Sequence, residues 1–375
     1  MQPDEASLKI IRLALFLNNL VKGSVSSIWI DKKVLKEVTD KMPKKLDMEE
    51  ETFEINSKIT LLMDQRRKSY LNALLQSLVY QIKLAKGEID FNLNEFSKQC
   101  YGVNIDRAHD IELRRLEVKL SEAEDKLRMT RFEVIKEDSV PKRSVVKLFQ
   151  AKLDSTRSKL DSQFPLPAGE SMIVTGISRK PWSAFNRHSG AFTSELQINT
   201  DVNHTETDLL RLAGHEGYGG HHTELSLKDK LLLEGRGEHG LVITFSPQTF
   251  ISEALAETSA TVFDLLPHNR KTQMLIDYDR LTDALLNLVA FWFFQDEVDK
   301  KEIKGRLEQY KLADETRDMI LNFATDEFWG KYALVYYPAY DFLLNFYNRT
   351  EDKHGFLSEI YNLPTTPEMI TSRYS

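Results

Sequence analysis

The sequence predicts a mainly α-helical fold with one small β-sheet set in its middle. Three observations carry that expectation. Apolar residues recur at helical spacing over most of the chain. β-Branched residues and period-two alternation are confined to 171–200. Between the two regimes stands Phe164-Pro165-Leu166-Pro167-Ala168-Gly169, whose prolines and glycine end the helical run.

Over 1–165 the pattern is almost wholly helical. MQPDEASLKIIRLALFLNNL opens with acidic residues, its apolar run is interrupted by Arg12, and no small-residue cleavage site follows. It reads as an amphipathic first helix, not a signal peptide. Residues 50–86 carry Ile59, Leu62, Met63, Tyr70, Leu71, Leu74, Leu75, Leu78 and Ile82 at helical spacing, which predicts one long helix. After a loop at 102–104 a second long helix is expected over 106–138, with alternating charge along its surface. Pro141 breaks it and 144–163 resumes. Heptad-like stretches here would allow a homodimer contact.

Strands are expected at 171–178 (SMIVTGIS) and 194–200 (SELQINT), joined by a loop-like link, KPWSAFNRHSG. An edge strand of such a sheet could pair with an extended peptide. Thr205-Glu206-Thr207-Asp208 has the form of a capping box and starts the next helix. A short helix at 225–233 and a mobile polar loop at 235–240 should follow. Ser246 as N-cap with Pro247 at the first helical position starts a helix running to Pro267. From 269 onward the chain is again helical. Aromatic-rich 283–299 belongs to the core, and Pro338 should kink the helix that holds Tyr336, Tyr337, Tyr340 and Tyr347.

The chemistry gathers in LLRLAGHEGYGGHHTE, residues 209–224. His215, His221, His222, Glu216 and Glu224 lie within ten residues, and imidazole and carboxylate are the ligands zinc takes. His215 is six residues from His221 and seven from His222, so on an ideal helix neither pair could grip one ion. Gly217, Gly219 and Gly220 supply the freedom for a later imidazole, His221 or His222, to fold back. Downstream, Glu253 and Glu257 stand four apart on one helical face. In that arrangement the first carboxylate can bind a metal while the second orients a ligating histidine.

These residues resemble a family. Gly214 to Glu224 is similar to the H-E-x-x-P-G-H-H signature of the domain of unknown function 885 family, classed with zincin-like metallopeptidases, with Gly219 where the family has proline. Ile198 to Asp201 resembles its I-N-T-D segment. Ser252 to Glu257 resembles its E-G-W-A-x-x-A-E, with Ala254-Leu255 in place of Gly-Trp. Leu334 to Ala339 resembles its L-S-Y-x-x-G. The resemblance implies a two-lobed zincin-like fold with the small sheet beside the metal helix. The break at 164–169 divides the chain into an N-terminal helical region (1–165) and a catalytic region (166–375), and the resemblance covers roughly 170–350. The resemblance also implies His215, His221 and Glu253 as ligands of Zn²⁺, Glu216 as base and Tyr336 as an oxyanion or substrate contact. His222, Glu257, Tyr337, Tyr340 and His239 are supporting or alternative residues. Arg187, Arg236, Arg179 and Asn199 are candidates for holding substrate, the arginines through a carboxylate.

The expected function is therefore a zinc-dependent hydrolase, a carboxypeptidase- or oligopeptidase-like metallopeptidase acting on small peptides or related amides and esters. The alternative is a metal-binding scaffold or pseudoenzyme with structural zinc and partner-binding N-terminal helices. A net charge of −7 spread along 375 residues gives no basic stripe, which excludes nucleic acid as a partner. The lone Cys100 excludes an internal disulfide and a cysteine zinc site and suits a reducing compartment. No apolar stretch reaches the roughly 18 residues of a membrane span. The expected location is cytoplasmic, with no membrane partner.

Overall fold

The computed structural model describes residues 3–43, 46–160, 163–180 and 182–374. Helix accounts for 65% and strand for 8%, so the mainly α expectation holds. Helix α1 (Glu5–Leu20) is capped by Asp4, and β1 (Val25–Ile28) and α2 (Lys32–Asp40) follow. The run expected as one helix over 50–86 is two, α3 (Met48–Thr60) and α4 (Gln65–Ala85). Asp64 caps α4 by accepting from the Arg67 N–H, and this local alternative to continued helix outweighs unbroken periodicity.

After the single turn α5 (Leu93–Phe96), the second expected long helix is also divided, into α6 (Asp110–Leu127) and α7 (Arg131–Asp138). Arg128 sits in the left-handed region between them, and Thr130 with Glu133 forms a capping box that restarts the chain. Helix α8 (Val145–Leu160) then leads to the sheet.

That sheet has three strands, β2 (Ser171–Ile177), β3 (Ala184–Gly190) and β4 (Thr193–Asn199), in the order β2-β4-β3. β4 is central, parallel to β2 and antiparallel to β3. The stretch expected as a loop-like link thus contains a strand. Its inward residues are Ala184, Asn186, His188 and Gly190, small or polar, so it lacks the apolar alternation that marks a strand in sequence.

Helix α9 (Glu206–Leu212) starts at the expected Thr205 box, and α10 (His221–Leu233) follows it. The 235–240 segment is a buried turn and not a mobile loop. Glu238 pairs there with Arg67 and accepts from Ser7, and His239 stacks on Tyr70. Strand β5 (Leu241–Ile243) pairs with β1 in a second small sheet.

Helix α11 (Pro247–Val262) begins at the Ser246 cap, and α12 (Arg270–Phe294) carries the aromatic core run. Next come α13 (Lys300–Leu307), α14 (Asp314–Ala324), α15 (Trp329–Ala333), α16 (Tyr336–Arg349), α17 (Lys353–Asn362) and α18 (Pro367–Tyr374). Pro338 does not break α16 internally; it lies in the first turn, where a missing N–H forfeits no helical bond.

Two apolar clusters organise the interior. One joins α1, α3 and α4 to Leu241 and Ile243; the other runs from Leu93 to Ile370 and includes α6, α8, α11 and α12. Helices α8 and α11 thereby brace the segment between α9 and α10 from two sides.

Candidate metal centre

Helix α9 does not continue regularly. Over Ala213–Gly217 it widens into a π turn, and Tyr218 then leaves helical geometry. Gly219 adopts φ +109°, a conformation that side-chain-bearing residues resist. Gly220 is required by space: a Cβ there would stand 1.8 Å from the carbonyl oxygen of His215. The chain re-enters helix at His221, so the glycines turn a six-residue separation into a contact. The His215 and His221 rings meet edge to face with centroids 4.9 Å apart.

Helix α11 brings the carboxylates. Candidate ligand atoms of His215, His221 and Glu253 all lie within 4.8 Å of one another. His215 Nε2 is 3.6 Å from Glu253 Oε2, and His221 Nε2 is 3.3 Å from Glu253 Oε1. Glu257, one turn on, stands 3.2 Å from His215 Nδ1 and so turns Nε2 toward Glu253. Burial alone would raise the Glu253 carboxyl, but His221, His215 and the Tyr332 hydroxyl bring it down to about 2. Burial likewise opposes charge on His221, yet Glu253 carries it up to about 9. The pocket therefore favours positive charge opposite Glu253 strongly enough to overcome desolvation.

A buried chain fixes which nitrogen of His221 faces the cluster. Lys228 donates to Glu224, and Ser252 Oγ donates to the same carboxylate. With its one hydrogen so committed, Ser252 can only accept from His221 Nδ1, 3.0 Å away. In the neutral ring that a metal would take, Nε2 is then the lone-pair nitrogen, on the side of Glu253. Ser252, Glu224 and Tyr332, which donates to Glu253 Oε1 at 2.6 Å, were not anticipated in these roles. Tyr332 lies four residues before Tyr336 in the same aromatic run, a spacing that could have pointed to it.

Glu216 is 6% exposed, and burial raises its carboxyl above the usual range. Asn186 of β3 donates to its backbone carbonyl at 2.6 Å, tying the edge strand to the π turn. Two cavities meet here. One, of 570 Å³, extends along α9 and α12; the other, of 110 Å³, lies between β1 and β3. His215, Glu216 and Tyr336 line both, and His221 and Glu253 line the smaller.

The remaining candidates fall elsewhere. His222 turns away to Glu170 and Ser194, 2.9 Å from each, because it follows His221 by one position on a new helix. Tyr337 and Tyr340 flank the Arg280 guanidinium. His239 is buried against Tyr70. Arg236 pairs with Asp64, Arg187 is exposed near Glu195, and the Arg179 N–H donates to Asp201. Asn199 donates to the carbonyls of Lys180 and Trp182 and so shapes the cavity wall without lining it. None of the three arginines lines either cavity.

No model of a known protein family matches the chain, and no curated protein does. Solved structures do share its fold. A candidate lipoprotein from Colwellia psychrerythraea is 13% identical with a TM-score of 0.59, the match covering 100% of this chain and 76% of that one. A candidate lipoprotein of unknown function from Shewanella oneidensis is 13% identical with a TM-score of 0.54, covering 91% and 69%. At such identity the likeness concerns fold alone. Among the described residues no helix is long and apolar enough to cross a membrane.

Proposed function

We propose that the chain is a zinc-dependent hydrolase that cleaves small peptides or related amides and esters, of the zincin-like kind its motifs resemble. One observation carries the reading: two imidazoles and a buried carboxylate converge, and Glu253 Oε2, in a residue 2% exposed, has no hydrogen-bond partner. A buried charged oxygen is not left unpaired without cost, and a divalent cation would satisfy it. His215, His221 and Glu253 would hold that ion, which supplies Lewis acidity and a readily ionised water.

Glu216, adjacent to a ligand and with its carboxyl raised above the usual range by burial, takes a proton from the attacking water and returns it to the leaving amine. Tyr336, which lines both cavities, steadies the developing oxyanion. Ala184, Phe185 and Asn186 of β3 line the narrow cavity, where an extended peptide could lie along the edge strand. The orientation of His222 away from the cluster supports an open coordination position, and so an enzyme over a scaffold with structural zinc. A cytoplasmic location remains part of the reading, and the lipoprotein description of the two similar structures offers the competing placement.

Purified protein should contain one zinc per chain. Glu216→Gln should keep that zinc and lose about 10²–10⁴-fold in turnover of a short-peptide library. Zinc-free protein with full activity, or undiminished turnover in the variant, would end this proposal.

A further inference from the structure

The larger cavity is chemically one-sided. Asp208, Glu216, Glu257, Asp279 and Asp283 line it, while the exposed Lys136 and Glu315 offset each other at its mouth. Besides the histidines His204 and His215, Arg211 is the basic group set deeper, and it is already engaged, with Nε 3.0 Å from Asp279 Oδ2. Most of the acids are also engaged. Asp208 accepts from the Thr205 N–H, and Glu257 faces His215. Asp283, one helical turn beyond Asp279 on α12, has no hydrogen bond or ion pair with any described residue. Its neighbour Arg280 is committed to Asp341 and stacked on Tyr337 and Tyr340.

A second, separate observation marks this space as one built for a ligand. At its inner end His215, 7% exposed, has its Nδ1 3.2 Å from Glu257 but out of line for a hydrogen bond, so a buried polar group of the lining stays unsatisfied. Resting on the hydrolase reading above, we propose that the 570 Å³ cavity selects substrates carrying a protonated amine or guanidinium, with Asp283 as the residue that meets that cation.

The arrangement opposes the carboxylate-holding arginine expected from the sequence. A substrate carboxylate entering this cavity would meet five acids and one arginine already paired, whereas a cation would find Asp283 unpaired. Burial, and then the nearby Glu257, pushes Asp283 up to about 7, and burial pushes Asp279 up to about 8 despite Arg211. An incoming cation relieves that crowding and is held by a charge-assisted hydrogen bond in a partly dehydrated site.

The test measures binding by calorimetry to the Glu216→Gln protein, with and without added zinc. The probes are the tripeptide Lys-Ala-Ala and its Nα-acetyl, Nε-acetyl and doubly acetylated forms. Masking the recognised amine should weaken binding about tenfold or more. Whichever single acetylation causes the loss tells a free N-terminus from a basic side chain. Adding Asp283→Asn should reduce the discrimination to within about twofold, and Asp283→Glu should restore most of it. Equal binding of all four peptides, binding of none, or discrimination that survives Asp283→Asn in folded protein would overturn the inference. Zinc is assayed on the same samples. Discrimination without bound zinc would sink the metal reading and uphold the subsite; one zinc per chain without discrimination would sink the subsite alone.

Discussion

Replacing Ser252 by alanine tests the chain that orients His221. The change removes one hydroxyl and leaves two buried groups unpaired: His221 Nδ1 loses its acceptor and Glu224 Oε2 loses a donor. Glu224 is fully buried and Ser252 9% exposed, so water has poor access to replace either bond. An unsatisfied buried group costs about 1–3 kcal/mol. Removing the partner that orients a metal-ligating histidine lowers affinity about 10–100-fold, equivalent to about 1.4–2.7 kcal/mol. Ser252→Ala should therefore bind zinc 10–100-fold more weakly in competition with a chromophoric chelator, while circular dichroism shows the helices intact. Ser252→Thr, which keeps the hydroxyl, should recover most of the affinity. A zinc affinity within twofold of the parent for Ser252→Ala would refute the argument that Ser252 fixes the His221 tautomer.

Two further predictions probe the frame around the site. Gly220→Ala sets a Cβ against the His215 carbonyl and should destabilise the fold by about 1–3 kcal/mol by overpacking; zinc affinity should fall with it, and a variant that keeps both parental stability and zinc would remove the steric argument. His239 concerns pH: burial lowers its imidazole to about 4 from an ordinary 6.5, so the unfolded chain takes up the proton first. Its contribution to stability is whole above 6.5 and drains as pH falls toward 4, amounting to about 2–3 kcal/mol by pH 4.5. Denaturant titrations at pH 7 and pH 4.5 should show that much less acid destabilisation in His239→Phe than in the parent, and identical slopes would contradict the assignment.

Much of the helical order was legible in sequence because capping and periodicity are local. The Thr205 box and the Ser246-Pro247 start fall where the residues put them. Strand β3 was not legible, since its buried face carries asparagine and histidine made tolerable only by partners such as the Glu216 carbonyl and Asp229. The 235–240 segment misled for the same reason: Glu238 reads as a surface acid until Arg67, 171 residues away, is found against it.

By itself the sequence determined which groups could form a metal centre: the histidines after Gly214, the glycines that permit a turn, and two carboxylates one helical turn apart. Tertiary structure alone decided that His221 and not His222 joins His215, since one position at the start of α10 sends adjacent side chains to different sides of the helix. It also decided that the neighbouring cavity is lined with acids and that its arginine is already paired. Those facts depend on where α9 and α12 lie against each other, which no local pattern encodes.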